Sequence, residues 1–283
     1  MSKVLACIDP SIYATSVVDH AAWAAERLEA AIEVLHVIQR KDAVAARHDL
    51  SGAVGLGAKS ALLDELTRID EAEGKFAQSK GRLLLASARD RLEERGQSDV
   101  TLVHRHGGIV ETIVEREADA DLVVIGKRGA SADFAKGHLG SKVERVVRQS
   151  VKPVLVASRA FTQPQAAVIA FDGGASARKA VAYAATSPLL RDVRLQVVMA
   201  GREDRESADR LNWARELLEL RPGTTVTVDE GRPEEVIGAQ VAATGAELLI
   251  MGAYGHSPLR AMLIGSTTTH MIRSCTLPVL LFR

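Results

Sequence analysis

Short continuous apolar runs alternate along the chain with longer stretches in which apolar residues recur every three or four positions. The runs near 3–8, 32–38, 100–105, 121–125 and 153–157 read as strands, as do those near 167–171, 193–199, 224–229, 247–251 and 278–282. Stretches such as 176–186, 204–219, 233–245 and 266–274 read as helices. Runs without alternation, for example Leu248 to Met251, suit strands buried on both faces. The expected fold class is therefore α/β, a parallel sheet assembled from successive strand–helix units.

The pattern is written twice. Asp121-Leu-Val-Val-Ile-Gly126-Lys-Arg-Gly129 reappears as Glu247-Leu-Leu-Ile-Met-Gly252-Ala-Tyr-Gly255, Gly140-Ser141 as Gly265-Ser266, and Pro153-Val-Leu-Val as Pro278-Val-Leu-Leu. Val4 to Asp9 likewise matches Ala167 to Asp172, but at a larger offset, so the first copy carries an insert. The expectation is two homologous domains. The first spans 1–160 with a helical insert near 41–80, the second spans 164–283, and they join near Phe161-Thr-Gln-Pro164.

Composition narrows the function. With 47% hydrophobic and 25% charged residues the chain is globular rather than disordered. The 36 basic and 36 acidic residues cancel, and they also cancel within 1–160 and within 161–283, so neither copy is a nucleic-acid module. The apolar runs are too short to cross a membrane and residues 1–10 lack an export signal, which points to the cytoplasm. Cys7 and Cys275 form no metal-ligand spacing and read as buried thiols.

Candidate chemistry lies in the glycine loop of the second copy. Gly252-x2-Gly255-x9-Gly265-Ser266-Thr267 follows an apolar strand and precedes a helix, where free backbone N–H groups point at negative charge. Glycines let backbone approach a phosphate, and Ser266 and Thr267 add hydroxyl donors that can also cap the helix. His256 lies inside the loop, where it either approaches a phosphate or is simply exposed. Asp172 ends the first strand of this copy, where a carboxylate can accept from a ribose or an adenine amino group, or help to hold a divalent ion. If strands one and four are neighbours, Asp172 and Gly252 face each other across the crevice where ligands bind in doubly wound sheets.

On these motifs the chain resembles a tandem universal stress protein, with the family's G-x2-G-x9-G-[ST] signature met by Gly252, Gly255, Gly265 and Ser266. The resemblance implies two doubly wound domains, each a five-stranded parallel sheet of order 3-2-1-4-5, paired through their last strands like a fused dimer. It implies ATP as ligand with Mg²⁺ or Mn²⁺, Asp172 toward adenosine, and the loop with Ser266 and Thr267 on the triphosphate. It also implies self-association and protein partners. The first copy offers Asp9, Gly126, Gly129, Gly140 and Ser141 but departs from the signature. Ten residues instead of nine separate Gly129 from Gly140, Lys142 replaces Thr267, and Pro10 follows Asp9 where Gly173 follows Asp172. The second copy is thus the expected main site, although Lys127, Arg128 and Lys142 could still attract phosphate.

Other features read more plainly. His104 and His106 share one side of a strand as polar positions, and Gly52-Ala-Val-Gly55-Leu-Gly57 reads as a hinge rather than a dinucleotide loop. Residues 58–95 read as helix, with Leu62, Leu63, Leu66, Ile69, Leu83, Leu84, Leu85, Ala88 and Leu92 as an apolar stripe, most of it packing on the domain, with a partner-binding or domain-bridging role as the alternative because the second copy manages without the segment. Trp23 and Trp213 read as core or interface anchors. No Walker lysine, kinase loop or nucleophile elbow occurs, so the expectation is a nucleotide-binding regulator with no catalytic residues and at most weak ATPase activity. The alternatives are a scaffold working through protein contacts alone and a slow phosphoryl-transfer enzyme.

Overall fold

A computed structural model describes residues 2–39, 56–129, 141–253 and 265–283, with 56–64 and 141 as backbone only. The strands are β1 (Lys3–Cys7), β2 (Ala31–Ile38), β3 (Val100–His106), β4 (Leu122–Gly126) and β5 (Val154–Ala157). The second half repeats them as β6 (Ala166–Ala170), β7 (Arg194–Ala200), β8 (Thr225–Asp229), β9 (Leu248–Gly252) and β10 (Val279–Phe282). Among the described residues they form one sheet of order β3-β2-β1-β4-β5-β10-β9-β6-β7-β8. Each half thus has the order 3-2-1-4-5, parallel throughout.

The halves meet through their last strands. β5 and β10 pair antiparallel, Leu155 opposite Leu280 and Val154 opposite Leu281. Both strands are apolar and fully buried, so each supplies the partner that the other's edge requires. Side chains reinforce the seam: Arg283 Nη1 donates to the Gln149 carbonyl at 3.2 Å and Arg27 Nη1 to Asp192 Oδ2 at 2.6 Å.

The helices are α1 (Ala14–Leu28), α2 (Leu56–Glu94), α3 (Ile109–Arg116), α4 (Ser141–Gln149), α5 (Ala175–Thr186), α6 (Arg205–Leu217), α7 (Pro233–Thr244) and α8 (Ser266–Ser274). Local chemistry marks their ends. Asp204 and Ser207 form a capping box at the start of α6, while Pro233 opens α7 and Gly245, at φ 62°, closes it. Residues of α1, α2, α5 and α6 bury one face of the sheet, and those of α3, α4, α7 and α8 bury the other. Strand residues alternate between these two cores, Val4 and Ala6 into one and Leu5 into the other, which explains the unbroken apolar runs. The acids that head the repeated motif are structural. Asp121 accepts from the backbone N–H of Lys3 at 3.0 Å, and Glu247 from that of Ala166 at 3.1 Å.

The insert departs from expectation. At 39 residues α2 is about 58 Å long, and its C-terminal turns pack on the domain through Leu85, Ala88 and Leu92. Arg91 and Arg95 anchor that end on the buried carboxylate of Asp19, Arg91 bidentately at 2.6 and 2.8 Å. Ile69, Phe76 and Leu83 are exposed instead of joining the stripe, Leu83 because it sits on the outer face of the packed segment between Gly81 and Leu85. Leu62, Leu63, Gly52 and Gly55 lie outside the residues described with side chains.

Leu92→Ala should therefore lower the stability of the main unfolding transition by about 2–5 kcal/mol. Leu83→Ala, at a position 73% exposed, should change it by less than about 0.5 kcal/mol. Urea denaturation followed by circular dichroism measures both.

Candidate functional site

In each half the strand order reverses between the first and fourth strands, the place where doubly wound sheets open a crevice beyond the strand ends. In the second half Ala170 of β6 lies opposite Met251 of β9, so Asp172 and Gly252 emerge side by side on neighbouring strands. The backbone turns at Gly173, whose φ of +79° suits glycine, and Asp172 Oδ1 accepts from the N–H of Gly174 at 2.8 Å. Two arginines brace this turn from behind. Arg178 Nε donates to the Gly173 carbonyl at 2.9 Å with its guanidinium 4.4 Å from the Trp213 ring centre, and Arg210 Nη1 donates to the Asp172 carbonyl at 3.2 Å. Trp213 in turn stacks on Phe171, which makes it the expected anchor of this end of the sheet.

Gly252 is needed for packing. A Cβ there would lie 2.4 Å from Ser176 Oγ and 2.8 Å from the Ala177 nitrogen, because the first turn of α5 presses on the end of β9. Thr268, which sequence reasoning passed over, holds the other side of the strand end by donating from Oγ1 to the Gly252 carbonyl at 2.9 Å. The cap of α8 differs from expectation. Gly265 is the N-cap, and among the described residues no side chain caps it, Ser266 and Thr267 included. Thr268 is the inward-facing hydroxyl, because Ser266 is exposed while Thr268 is buried one helical step further on. Gly255 and His256 lie outside the described residues.

The first half repeats this geometry with different side chains. Asp9 Oδ1 accepts from the Ser11 N–H at 3.3 Å, the counterpart of Asp172 with Gly174. Gly126 abuts Tyr13 at the start of α1, where a Cβ would fall 2.8 Å from Tyr13 Cβ, and a Cβ on Gly129 would fall 2.9 Å from Asp9 Oδ2. Gly140 lies outside the described residues, and Ser141 is described only as the first residue of α4. Beside these groups a cleft of about 220 Å³ opens beyond β1, β2 and β4, lined by Cys7, Leu35, Ile113 and Ile125 within and by Asp9, Arg128 and Lys142 at its rim. This cleft lies in the half whose signature is broken. Burial, reinforced by the charges of Glu33 and Glu117, pushes the Cys7 thiol far above its ordinary value, so Cys7 lines the cleft as a neutral group. Cys7 and Cys275 are both half-buried rather than fully so.

Lys127 corrects an expectation. Its side chain turns away from the loop into the seam between the halves, where Nζ donates to the Cys275 carbonyl that ends α8. Burial lowers its pKa, yet an ammonium at a helix C-terminus meets the negative end of the dipole. Lys127 is thus a seam residue and not a phosphate ligand. His104 and His106 do share a side, their rings 6.2 Å apart, and His36 joins them from β2 with its ring 5.3 Å from that of His104. Gly81 of α2 sits directly over His36 and His104, where a Cβ would come within 2.4 Å of His104 Nε2. Among the described residues no group of three or more His, Cys, Asp or Glu side chains could hold a metal ion. No helix among them is long and apolar enough to cross a membrane.

Comparison with known proteins agrees with this architecture. The sequence profile of the universal stress protein family matches residues 1–158 and 188–283. A universal stress protein of Synechocystis sp. is 35% identical over 288 residues, covering 100% of both chains. One from Mycobacterium tuberculosis is 26% identical over 75% of this chain and 80% of its own. The crystal structure of a universal stress protein from Archaeoglobus fulgidus superposes with a TM-score of 0.73 at 21% identity, covering 99% of this chain and 98% of that one, and so shares the fold.

Gly252 at a strand end and Gly129 in a loop should tolerate substitution differently. Gly252→Ala drives a methyl into the backbone of α5 and should destabilise the protein by about 1–3 kcal/mol. Gly129→Ala meets, among the described residues, the Asp9 side chain alone and should change stability by less than about 0.5 kcal/mol. Thermal unfolding of the two variants, compared with the parent, checks this.

Proposed function

This chain belongs to the universal stress protein family, and from that premise we propose that it is a cytoplasmic stress-response protein that binds ATP, chiefly in its second half. It signals occupancy through a change of conformation or partner. Its units are a first domain over 1–160, with the insert near 41–80, and a second over 164–283. The observation that carries this reading is the crevice beyond β6 and β9. It is supported by the Asp172 carboxylate and the close-packed end of β9 at Gly252 standing on neighbouring strand ends, with α8 beginning at Gly265 and tied to that end through Thr268. Asp172 takes the nucleoside, while Gly252, Gly255, Gly265, Ser266 and Thr267 take the phosphates with backbone N–H and hydroxyl donors, and His256 stands beside them.

A divalent ion fits this half. Ser266 and Thr267 offer hydroxyls, hard oxygens of the kind that complete the shell of Mg²⁺ or Mn²⁺ together with phosphate oxygens and water rather than in an all-protein cage. They are the residues that would hold it, and the ion would neutralise phosphate charge. The protein works by binding, with at most weak ATPase activity, since the sequence supplies none of the motifs that position a nucleophile at a γ-phosphate. Occupancy is passed to protein partners or to further copies of the chain.

The test has two parts. Denaturing freshly purified protein should release nucleotide, identified by chromatography and mass. Titration calorimetry with Mg²⁺ and ATP should then show at least tenfold weaker binding in Asp172→Ala and in Gly255→Val, with unchanged circular dichroism, since a hydrogen bond to a charged group is worth about 1.5–3 kcal/mol. Unchanged affinity in both variants would move the site elsewhere. No affinity of the intact protein for any nucleotide would leave the scaffold reading.

A further inference from the structure

The cleft of the first half differs from the crevice of the second in its charge. Its floor is aliphatic, formed by Leu35, Val37, Ile113, Ile125, Val143 and Val146, with a thiol held neutral. Its rim carries one carboxylate, Asp9, and two cations, Arg128 and Lys142. These cations stand where the second copy has Tyr254 and Thr267. No hydrogen bond or ion pair joins either of them to a described residue. The arginines near Asp172, by contrast, are occupied: Arg178 by the Gly173 carbonyl and Trp213, Arg210 by Glu206 and the Asp172 carbonyl.

That donor set does not suit a divalent ion. Mg²⁺ or Mn²⁺ is held by hard oxygens, and among the described lining residues Asp9 alone offers a carboxylate, beside two cationic side chains that repel a dication. The same two charges can neutralise phosphate oxygens directly, Arg128 through its planar fork and Lys142 as a point charge at the first turn of α4. The cleft, at about 220 Å³, is smaller than the roughly 300–1,000 Å³ of a pocket that encloses a whole drug-sized ligand. It admits one ring system and leaves charged groups at the rim.

We infer that the first-half cleft binds a nucleotide without a divalent metal, with Arg128 and Lys142 in place of the ion, so that the two halves respond differently to metal supply. This rests on the reading that the strand-end crevices take nucleotides. With free Mg²⁺ low, metal-free nucleotide loads the first half; with Mg²⁺ abundant, the metal complex loads the second and the first empties. One chain then reports metal-free nucleotide through one half and the metal-bound nucleotide through the other.

The full-length Asp172→Ala protein isolates the first half, and calorimetric titration with ATP in excess EDTA reads it directly. The expected result is binding of about one ATP per chain that survives chelation. It weakens at least tenfold on adding Lys142→Thr, which installs the second copy's residue, or Arg128→Met. It also weakens as salt rises. Circular dichroism and the unfolding midpoint report whether each variant remains folded, and two independent variants guard against the loss of either. ATP binding that appears only with Mg²⁺, or that both rim variants leave intact, overturns this inference and leaves the proposed function standing. No ATP binding by the unmutated protein, with or without Mg²⁺, overturns both.

Discussion

Strands β5 and β10 are four residues long, apolar from end to end and buried on both faces, so neither can form the edge of a sheet exposed to water. Each satisfies the other's main chain, and much of the molecule follows from that pairing. It makes one sheet of the two halves and removes the most hydrophobic edge from each. Because the pairing is antiparallel while the strands within each half are parallel, the carboxyl ends of the two halves point to opposite edges of the shared sheet. The two crevices therefore open away from each other. The chain at the end of α8 is met across the seam by Lys127, whose ammonium supplies positive charge to the helix C-terminus.

Within that frame the two halves have diverged at their strand ends. Gly173 adopts φ +79°, which proline cannot reach, so Pro10 in the first half forces a different path after Asp9 even though both carboxylates accept a backbone N–H two residues on. The glycines that end β4 and β9 obey one steric rule, a helix start pressed against a strand end, with Tyr13 in one half and the backbone after Ser176 in the other. Charge separates them. The first half sets Arg128 and Lys142 beside an aliphatic slot, whereas the arginines near Asp172 in the second are engaged by the Gly173 and Asp172 carbonyls. Duplication gave the chain two copies of one architecture, and substitutions outside the packed core gave their strand ends different charge.

The long helix α2 shows how an insertion is accommodated. Its last turns are bound by Leu85, Ala88, Leu92 and the ion pairs from Arg91 and Arg95 to Asp19, and Gly81 lets it lie against His36 and His104. Beyond Gly81 the helix has left the sheet, and Phe76 is 71% exposed.

The sequence by itself determined the repeat, the strand and helix order, and the positions of the glycines and carboxylates at the strand ends. These are written in local periodicity and in spacing, which need no knowledge of distant contacts. The α/β class followed from unbroken apolar runs, since only a strand covered on both faces can be apolar at every position. The neighbour order of the strands came from resemblance, not from periodicity, because each strand is equally apolar toward any partner. Tertiary structure alone decided where flexible side chains go. Lys127 reads as a loop cation beside Arg128, yet folding sends one into the seam and leaves the other at the cleft rim. Thr268 rather than Thr267 holds the end of β9, and Leu83 is exposed while Leu85 is buried. Those choices depend on which surface packs opposite, and residues far along the chain supply that surface.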